Sequence, residues 1–349
     1  MSTTTQNQMN ALVYTAPNEM QVRSAPMPNA SDLESVLRIE AVGICGSDMH
    51  AYHGHDPRRK PGLILGHEFA GTVVDGPGIG RRVTGNPLIS CGRCEYCIQG
   101  RNNLCADRTM VGMTRAGAFA QYMSIPEKEL IDIPDDMSAT QAALTEPGAT
   151  ALHALAMGQR AMLRPLPEAR VMVIGGGAIG MLSALLLRAY GAREVWVAET
   201  NDLRRDAVAK HAQARTFNPV NDAGPGESSC DLVIDAVGAA VTRKLMLTTV
   251  KPGAVAVHIG LQDWASEIDM RKLTLAEITL IGTYTYSTAD LKATVAAIHD
   301  GKFGDLSWVE ERPLSDGAQA FDDLHNQRTA SAKLVLHPNP QAGDSCRPY

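Results

Sequence analysis

The amino-acid sequence predicts an α/β protein of two domains: a β-rich domain of short strands and long loops, then a doubly wound parallel sheet wrapped by helices. Three observations carry that prediction. The 349 residues suffice for two separate cores. From Ala11 to about residue 133, short alternating runs are punctuated by Gly and Pro. From Glu146 to about Gly282, apolar strand-length runs alternate with helical stretches, as in a parallel sheet.

In the first domain the runs A-L-V-Y, V-L-R-I-E-A-V, A-G-T-V-V, R-V-T-G and A-F-A-Q-Y-M-S-I read as strands. The second domain opens on V-M-V-I (171–174), followed by a glycine turn and the apolar helix A-I-G-M-L-S-A-L-L-L-R-A-Y, which Gly191 stops. E-V-W-V-A-E ends at Glu199, and D-L-V-I-D, A-V-A-V-H-I and I-T-L-I-G supply later strands. Beyond Ser287 the sequence predicts a helix over 289–299, a strand near Val309, a helix over 316–327 and a final strand K-L-V-L. This tail is expected to return to the first domain, so that 9–150 and 288–349 form one domain and 151–287 the other. Residues 1–8, polar and rich in Thr and Gln, are expected to be disordered, and 338–349 loosely held.

The net charge of −6, with no basic stripe, argues against a nucleic-acid surface. The N-terminus has neither basic leader nor apolar core, and no apolar run reaches spanning length; a cytoplasmic location without membrane partners is expected.

Cys91, Cys94, Cys97 and Cys105 fall three, three and eight residues apart in one loop, C-G-R-C-E-Y-C-I-Q-G-R-N-N-L-C. Closely spaced cysteines on turning backbone, in a reducing compartment, fit a closed tetrahedral zinc site better than two disulfides. Cys230 and Cys346 read as spare thiols.

Gly175-Gly176-Gly177-Ala178-Ile179-Gly180 fits G-x-G-x-x-G, follows a strand, opens a helix and precedes Glu199 at the next strand's end. Gly175 makes the turn, Gly177 admits the pyrophosphate, and Gly180 permits close packing, while the helix N-terminus faces the phosphates. Glu199 suits the ribose hydroxyls and repels a 2′-phosphate, favouring NAD over NADP; Arg204 and Arg205 lie just beyond, Arg205 being read as a solvated residue.

Two more motifs are rich in ligands: G-I-C-G-S-D-M-H, with Cys45, Ser47 and His50, and G-H-E-F-A-G, with His67 and Glu68. Glu146, before Pro147 at a helix start, is a further candidate. Cys45, His67 and a carboxylate make an N/S/O set suited to zinc with one position open. Such a metal polarises an alcohol oxygen so that hydride can leave the carbon; Ser47 can hydrogen-bond that oxygen and His50, one turn on, can carry the proton outward. His53 and His55 fit no ligand spacing and read as loop residues, and Arg58-Arg59-Lys60 as a solvated charge run.

With these motifs, together with G-A-F-A-Q-Y (117–122) and E-P-G-A-T-A-L-H-A, the chain resembles the zinc-dependent medium-chain dehydrogenase/reductase family over about residues 9–336. The resemblance implies a GroES-like β-barrel catalytic domain, a Rossmann coenzyme domain, two zinc ions per subunit, and homodimers or homotetramers paired at the edge strand within 278–284. Glu146, where simple alcohol dehydrogenases carry a Cys, points to the polyol branch. By that mapping Cys45, His67 and Glu68 bind the catalytic zinc, and Glu146 binds it or its water. Ala178, Ile179, Glu199, Arg204, Ile259, Gly260, Leu261, Tyr284 and Tyr286 then line the NAD site. Thr285 stands where sorbitol dehydrogenases often carry an Arg, which speaks against sorbitol itself.

The expected function is zinc-dependent, NAD-linked oxidation of a secondary alcohol on a polyol or sugar acid, reversible to the ketone. The alternatives are a threonine-type amino-alcohol dehydrogenase and, more distantly, a non-catalytic zinc- and NAD-binding protein.

Overall fold

Strand Glu34–Gly43, with its β-branched and apolar residues buried, lies inside the sheet that organises the first half of the chain. In this computed structural model, which describes residues 7–339, that strand pairs antiparallel with Glu68–Asp75, Tyr122–Pro126 and Lys333–His337. The seven-stranded sheet is completed by Arg82–Gly85, Leu130–Asp132 and Val309–Pro313, the last pairing parallel with Lys333–His337. A hairpin of Gln8–Ala16 and Glu19–Pro26 adds to the same core, in which Leu12, Leu37, Ile39, Phe69, Phe119 and Phe321 are buried.

The second unit holds a six-stranded, wholly parallel sheet. Its strands are, in chain order, Arg170–Ile174, Glu194–Ala198, Arg215–Phe217, Cys230–Asp235, Val250–His258 and Thr279–Gly282, and their spatial order is 3-2-1-4-5-6. The order reverses beside the first strand, where a doubly wound sheet opens a crevice at its carboxyl ends. The predicted α/β class with a doubly wound parallel sheet is thus what the chain adopts. No helix among the described residues is long and apolar enough to cross a membrane.

The units comprise residues up to 146, 309–329 and from 333 for the first, and 147–308 with 330–332 for the second. This corrects the expected return at 288: helix Thr288–His299 stays with the second unit. Contacts with helix Thr145–Ala161 hold it there. A Cβ at Gly148 would stand 2.9 Å from Thr294 Cγ2, and His153 Nδ1 lies 2.9 Å from an Asp290 oxygen. The loose ends were also set too wide. The Asn7 carbonyl accepts from Met27 N, Gln8 opens a strand, and the Asn339 amide donates to the carbonyls of Ile39 and Gln121. Residues 1–6 and 340–349, including Cys346, lie outside the described residues.

The Asp290 contact has a pH signature. Burial opposes its charge, but hydrogen bonds from His153 and Ser287 prevail and hold its carboxyl at about 2, below the ordinary 3.8. A depressed carboxyl stabilises the fold above its unfolded pKa and loses that contribution as pH falls through the folded value. Discounted for partial exposure, the contribution is about 1 kcal/mol. Asp290→Asn should lower the urea midpoint at pH 6 and narrow its gap from wild type between pH 4 and 2. An equal gap across that window would remove the linkage.

Candidate metal and coenzyme sites

Cys45 leaves the central strand of the first unit and N-caps the short helix Gly46–Tyr52. At the third helical position Asp48 turns back so that its carboxylate accepts from Cys45 N at 3.0 Å. The other Asp48 oxygen lies 3.4 Å from His67 Nδ1, leaving Nε2 for other work. Asp48 and His67 are both buried. Burial opposes charge on each, yet their mutual attraction lowers the Asp48 carboxyl and raises the imidazole.

His67 is aimed by backbone packing. Ile64, Leu65 and Gly66 carbonyls accept from Gly117, Phe119 and Ala118 N at 2.8–3.0 Å. Gly66 takes φ +92, and a Cβ at Gly117 would stand 2.3 Å from Leu65 O. The motifs G-H-E and G-A-F-A-Q-Y therefore form one object.

Ligand atoms of Cys45, His67 and Glu68 lie within 4.8 Å of one another. The set is thiolate, imidazole and carboxylate, and it fits zinc. Glu68 carries a second obligation: both its oxygens accept from Lys333 Nζ, at 2.8 and 2.6 Å, and Lys333 also donates to Ile44 O at 2.8 Å. A Cβ at Gly43 would stand 2.1 Å from Glu68 Oε2, so only glycine leaves the carboxylate its seat. Glu146 is buried and lies outside this ligand group; its charge acts on Lys333.

Ser47 Oγ stands 3.5 Å from His67 Nε2, and His50 follows one turn later on the same helix. Burial first, then the positive fields of His55 and Arg59, push the His50 imidazole down. His53 is not a bare loop residue: it caps the helix and its Nε2 lies 2.9 Å from His325 Nδ1. The charge run also divides. Arg58 is exposed and pairs with Asp56, whereas the Arg59 side chain is 1 % exposed and bonds Asp56, Gly112 O and Ser47. Reading 58–60 as uniformly solvated is therefore corrected for Arg59, because each of its three side-chain nitrogens has a partner inside the fold.

Cys91, Cys94, Cys97 and Cys105 converge with all four sulfurs within 4.8 Å. Cys91–Cys97 is 4.0 Å and Cys94–Cys97 3.5 Å. A tetrahedral ZnS4 centre with bonds near 2.3 Å has sulfur–sulfur edges of about 3.8 Å, so the lobe fits zinc without rearrangement. Backbone N–H groups of Arg93 and Cys94 bring the Cys91 thiol down to about 6.

In the second unit Gly175 takes φ +98, and a Cβ on Gly180 would stand 1.8 Å from Gly175 O. A Cβ on Gly177, which N-caps helix Ala178–Ala189, would meet nothing within 4 Å. Glu199 accepts from Gly176 N at 2.7 Å and Asn201 N at 2.8 Å, fixing its carboxylate beside the glycine turn. Arg204 Nε is buried without a hydrogen-bond partner. Arg205, expected to be solvated, instead ties the Glu199 and Thr200 carbonyls together. Ala178 and Ile179 are half-buried at the helix start, Ile259 and Tyr284 half-buried, and Leu261 exposed. Gly260 is packed against Gly238, whose Cβ would stand 2.0 Å from Gly260 O. Tyr286 is fully buried, so its ring offers no surface to a coenzyme and its expected place in that site is corrected.

Sequence reasoning missed Asp48, Arg59, Lys333 and Asp235. Asp235 is buried and accepts from Val237 N, Gly238 N and Thr242, setting the loop after the fourth strand. Lys333 had a signal: a lone lysine heading the apolar strand K-L-V-L.

Comparison with known proteins agrees with this geometry. Residues 31–135 match the family model described as alcohol dehydrogenase GroES-like domain, and 178–300 that described as zinc-binding dehydrogenase. The chain is 29% identical to L-galactonate-5-dehydrogenase of Escherichia coli (strain K12), covering 92% of this chain and 96% of that one. It is 30% identical to L-threonine 3-dehydrogenase of Pseudoalteromonas atlantica, covering 90% and 96%. A chain from Sinorhizobium meliloti 1021 solved with NADP bound superposes with a TM-score of 0.84 at 27% identity, covering 95% of this chain and all of that one.

Proposed function

The chain belongs to the zinc-dependent medium-chain dehydrogenase family, and from that premise we propose that it oxidises a secondary alcohol of a polyol or sugar acid with NAD. That it is a nicotinamide-linked oxidoreductase follows from the family; the substrate class and coenzyme preference are our reading. When bound, zinc supplies Lewis acidity to the alcohol oxygen and NAD accepts hydride. Cys45, His67 and a carboxylate would hold the metal, with the Asp48 carboxylate 3.4 Å from Nδ1 on the far side of the His67 ring. Ser47 takes the alcohol proton and His50 receives it. Glu146 is within electrostatic reach of Lys333 and serves as a ligand or as the holder of a metal water. The cysteine lobe holds a second, structural zinc.

One observation favours a polyol over an ammonium-bearing substrate such as threonine. Glu68 is claimed by Lys333, Asp48 by Cys45 N and His67, and Asp56 by two arginines. With Glu146 engaged by the metal or its water, as read above, none of these four carboxylates is left to pair with an ammonium group. Glu199, locked beside the glycine turn, favours NAD, because its charge opposes a 2′-phosphate. The exposed side of strand Thr279–Gly282, at the end of its sheet, suits pairing with a second copy, and we place the protein in the cytoplasm, where its thiols stay reduced.

The test is a panel of C4–C6 polyols, sugar acids and L-threonine with NAD or NADP, followed by coenzyme absorbance with and without chelator. A polyol or sugar acid should lead L-threonine in kcat/KM by about tenfold or more, with NAD preferred. Threonine as the best substrate would reverse the class, and chelator-resistant turnover would remove the zinc. A mass of one subunit in solution would dismiss the edge pairing.

A further inference from the structure

We propose that Arg59 is a positioning residue of the proton relay, holding the Ser47 hydroxyl so that it can receive a proton from the alcohol and pass its own to His50. The proposal rests on the function read above. In that reaction alcohol and NAD+ give ketone, NADH and a proton, and the proton is what Ser47 must hand on.

A serine hydroxyl has one hydrogen and two lone pairs and otherwise rotates freely. Arg59 NH2 stands 3.4 Å from Ser47 Oγ, at the long end of hydrogen bonding, and NH1 donates to the same residue's carbonyl at 3.2 Å. The guanidinium stays protonated at any working pH and offers only donors. It therefore occupies one lone pair and forbids the Ser47 hydrogen from pointing its way. With His67 Nε2, 3.5 Å from Oγ, reserved for the metal in the reading above, what remains is one lone pair to receive a proton and one hydrogen to give. As Ser47 accepts the alcohol proton, its own hydrogen leaves for the His50 ring, and the fixed positive charge stabilises negative charge that develops on Oγ in the exchange.

Arg59 is itself anchored. Its Nε donates to Gly112 O at 3.1 Å and NH1 to Asp56 Oδ2 at 2.9 Å. Gly112 packs on Gly66, where a Cβ would stand 2.9 Å from Gly66 O, so the arginine is referenced to the segment that presents His67. With its side chain 1 % exposed, Arg59 is placed to act through Ser47 and not to read a substrate group.

A double-mutant cycle tests this. Arg59→Met should lower kcat about ten- to hundredfold with KM within about twofold, the loss of one hydrogen bond from a charged donor to a group used in the reaction. In a Ser47→Ala background the same change should cost less than about twofold. Zinc content and NADH binding, read by fluorescence titration, should match the parent. The cycle is repeated with Arg59→Lys, which keeps the charge and the fold while losing the two-point grip, and should fall between. Equal fold-losses in both backgrounds would make Arg59 a structural residue only and overturn the proposal. If Ser47→Ala alone left kcat unchanged, the relay reading of Ser47 would fall first, a separate result.

Discussion

Cys45→Ser and His67→Ala are each expected to lower kcat by at least about a thousandfold, the scale of losing a Lewis acid from hydride transfer. NADH should bind either variant within about twofold of wild type, because the glycine turn and Glu199 belong to the other unit. The thiol and imidazole are the two donors of the site with no other strong claim. Cys45 contributes its backbone N–H, not its sulfur, to the Asp48 bond, and His67 spends only Nδ1 on Asp48. Glu68→Gln should be milder, since that carboxylate is shared with Lys333. Stopped-flow turnover and metal analysis of the purified variants check this. Near-normal rates in either, or a parent protein whose metal resides wholly in the cysteine lobe, would end the metal mechanism.

What the sequence disclosed follows the range of each interaction. Residues that act through local spacing were legible: the four cysteines, the glycine turn with Glu199, and the motifs around Cys45 and His67. Strand-length runs such as 171–174 and 333–336 fell where the sheets run, since their apolar periodicity is a local property. Residues whose role depends on what the fold brings opposite them were not legible. Lys333 is 265 residues from Glu68, and Arg59 is 53 from Gly112. Arg59 sits inside a run of charges and has the composition of a surface turn; only its burial tells otherwise. The helix 288–299 was misassigned for the same reason, because its partner, 145–161, lies far upstream. Short strands such as Arg215–Phe217 escaped because three residues carry no period.

Lys333→Met should destabilise the first unit by about 3–5 kcal/mol, the cost of leaving a buried charge without its partner. All three ammonium hydrogens are used, two on Glu68 and one on Ile44 O, and both side chains are 1 % exposed. Burial opposes the lysine's charge, yet Glu68 and Cys45 outweigh it and raise the ammonium pKa. Removing the lysine leaves the Glu68 carboxylate beside Cys45, with Glu146 adding to the negative field. A zinc ion held by Cys45, His67 and Glu68 would help to balance that cluster. Its contribution to the urea midpoint, measured as the holo-minus-apo difference, should therefore be larger in Lys333→Met than in wild type. Adding Glu68→Gln should recover much of the lost stability, because a neutral pair in the same space needs no counter-charge. An unchanged urea midpoint in the single variant, or no recovery in the double, would show that the lysine does not hold the carboxylate at the metal site.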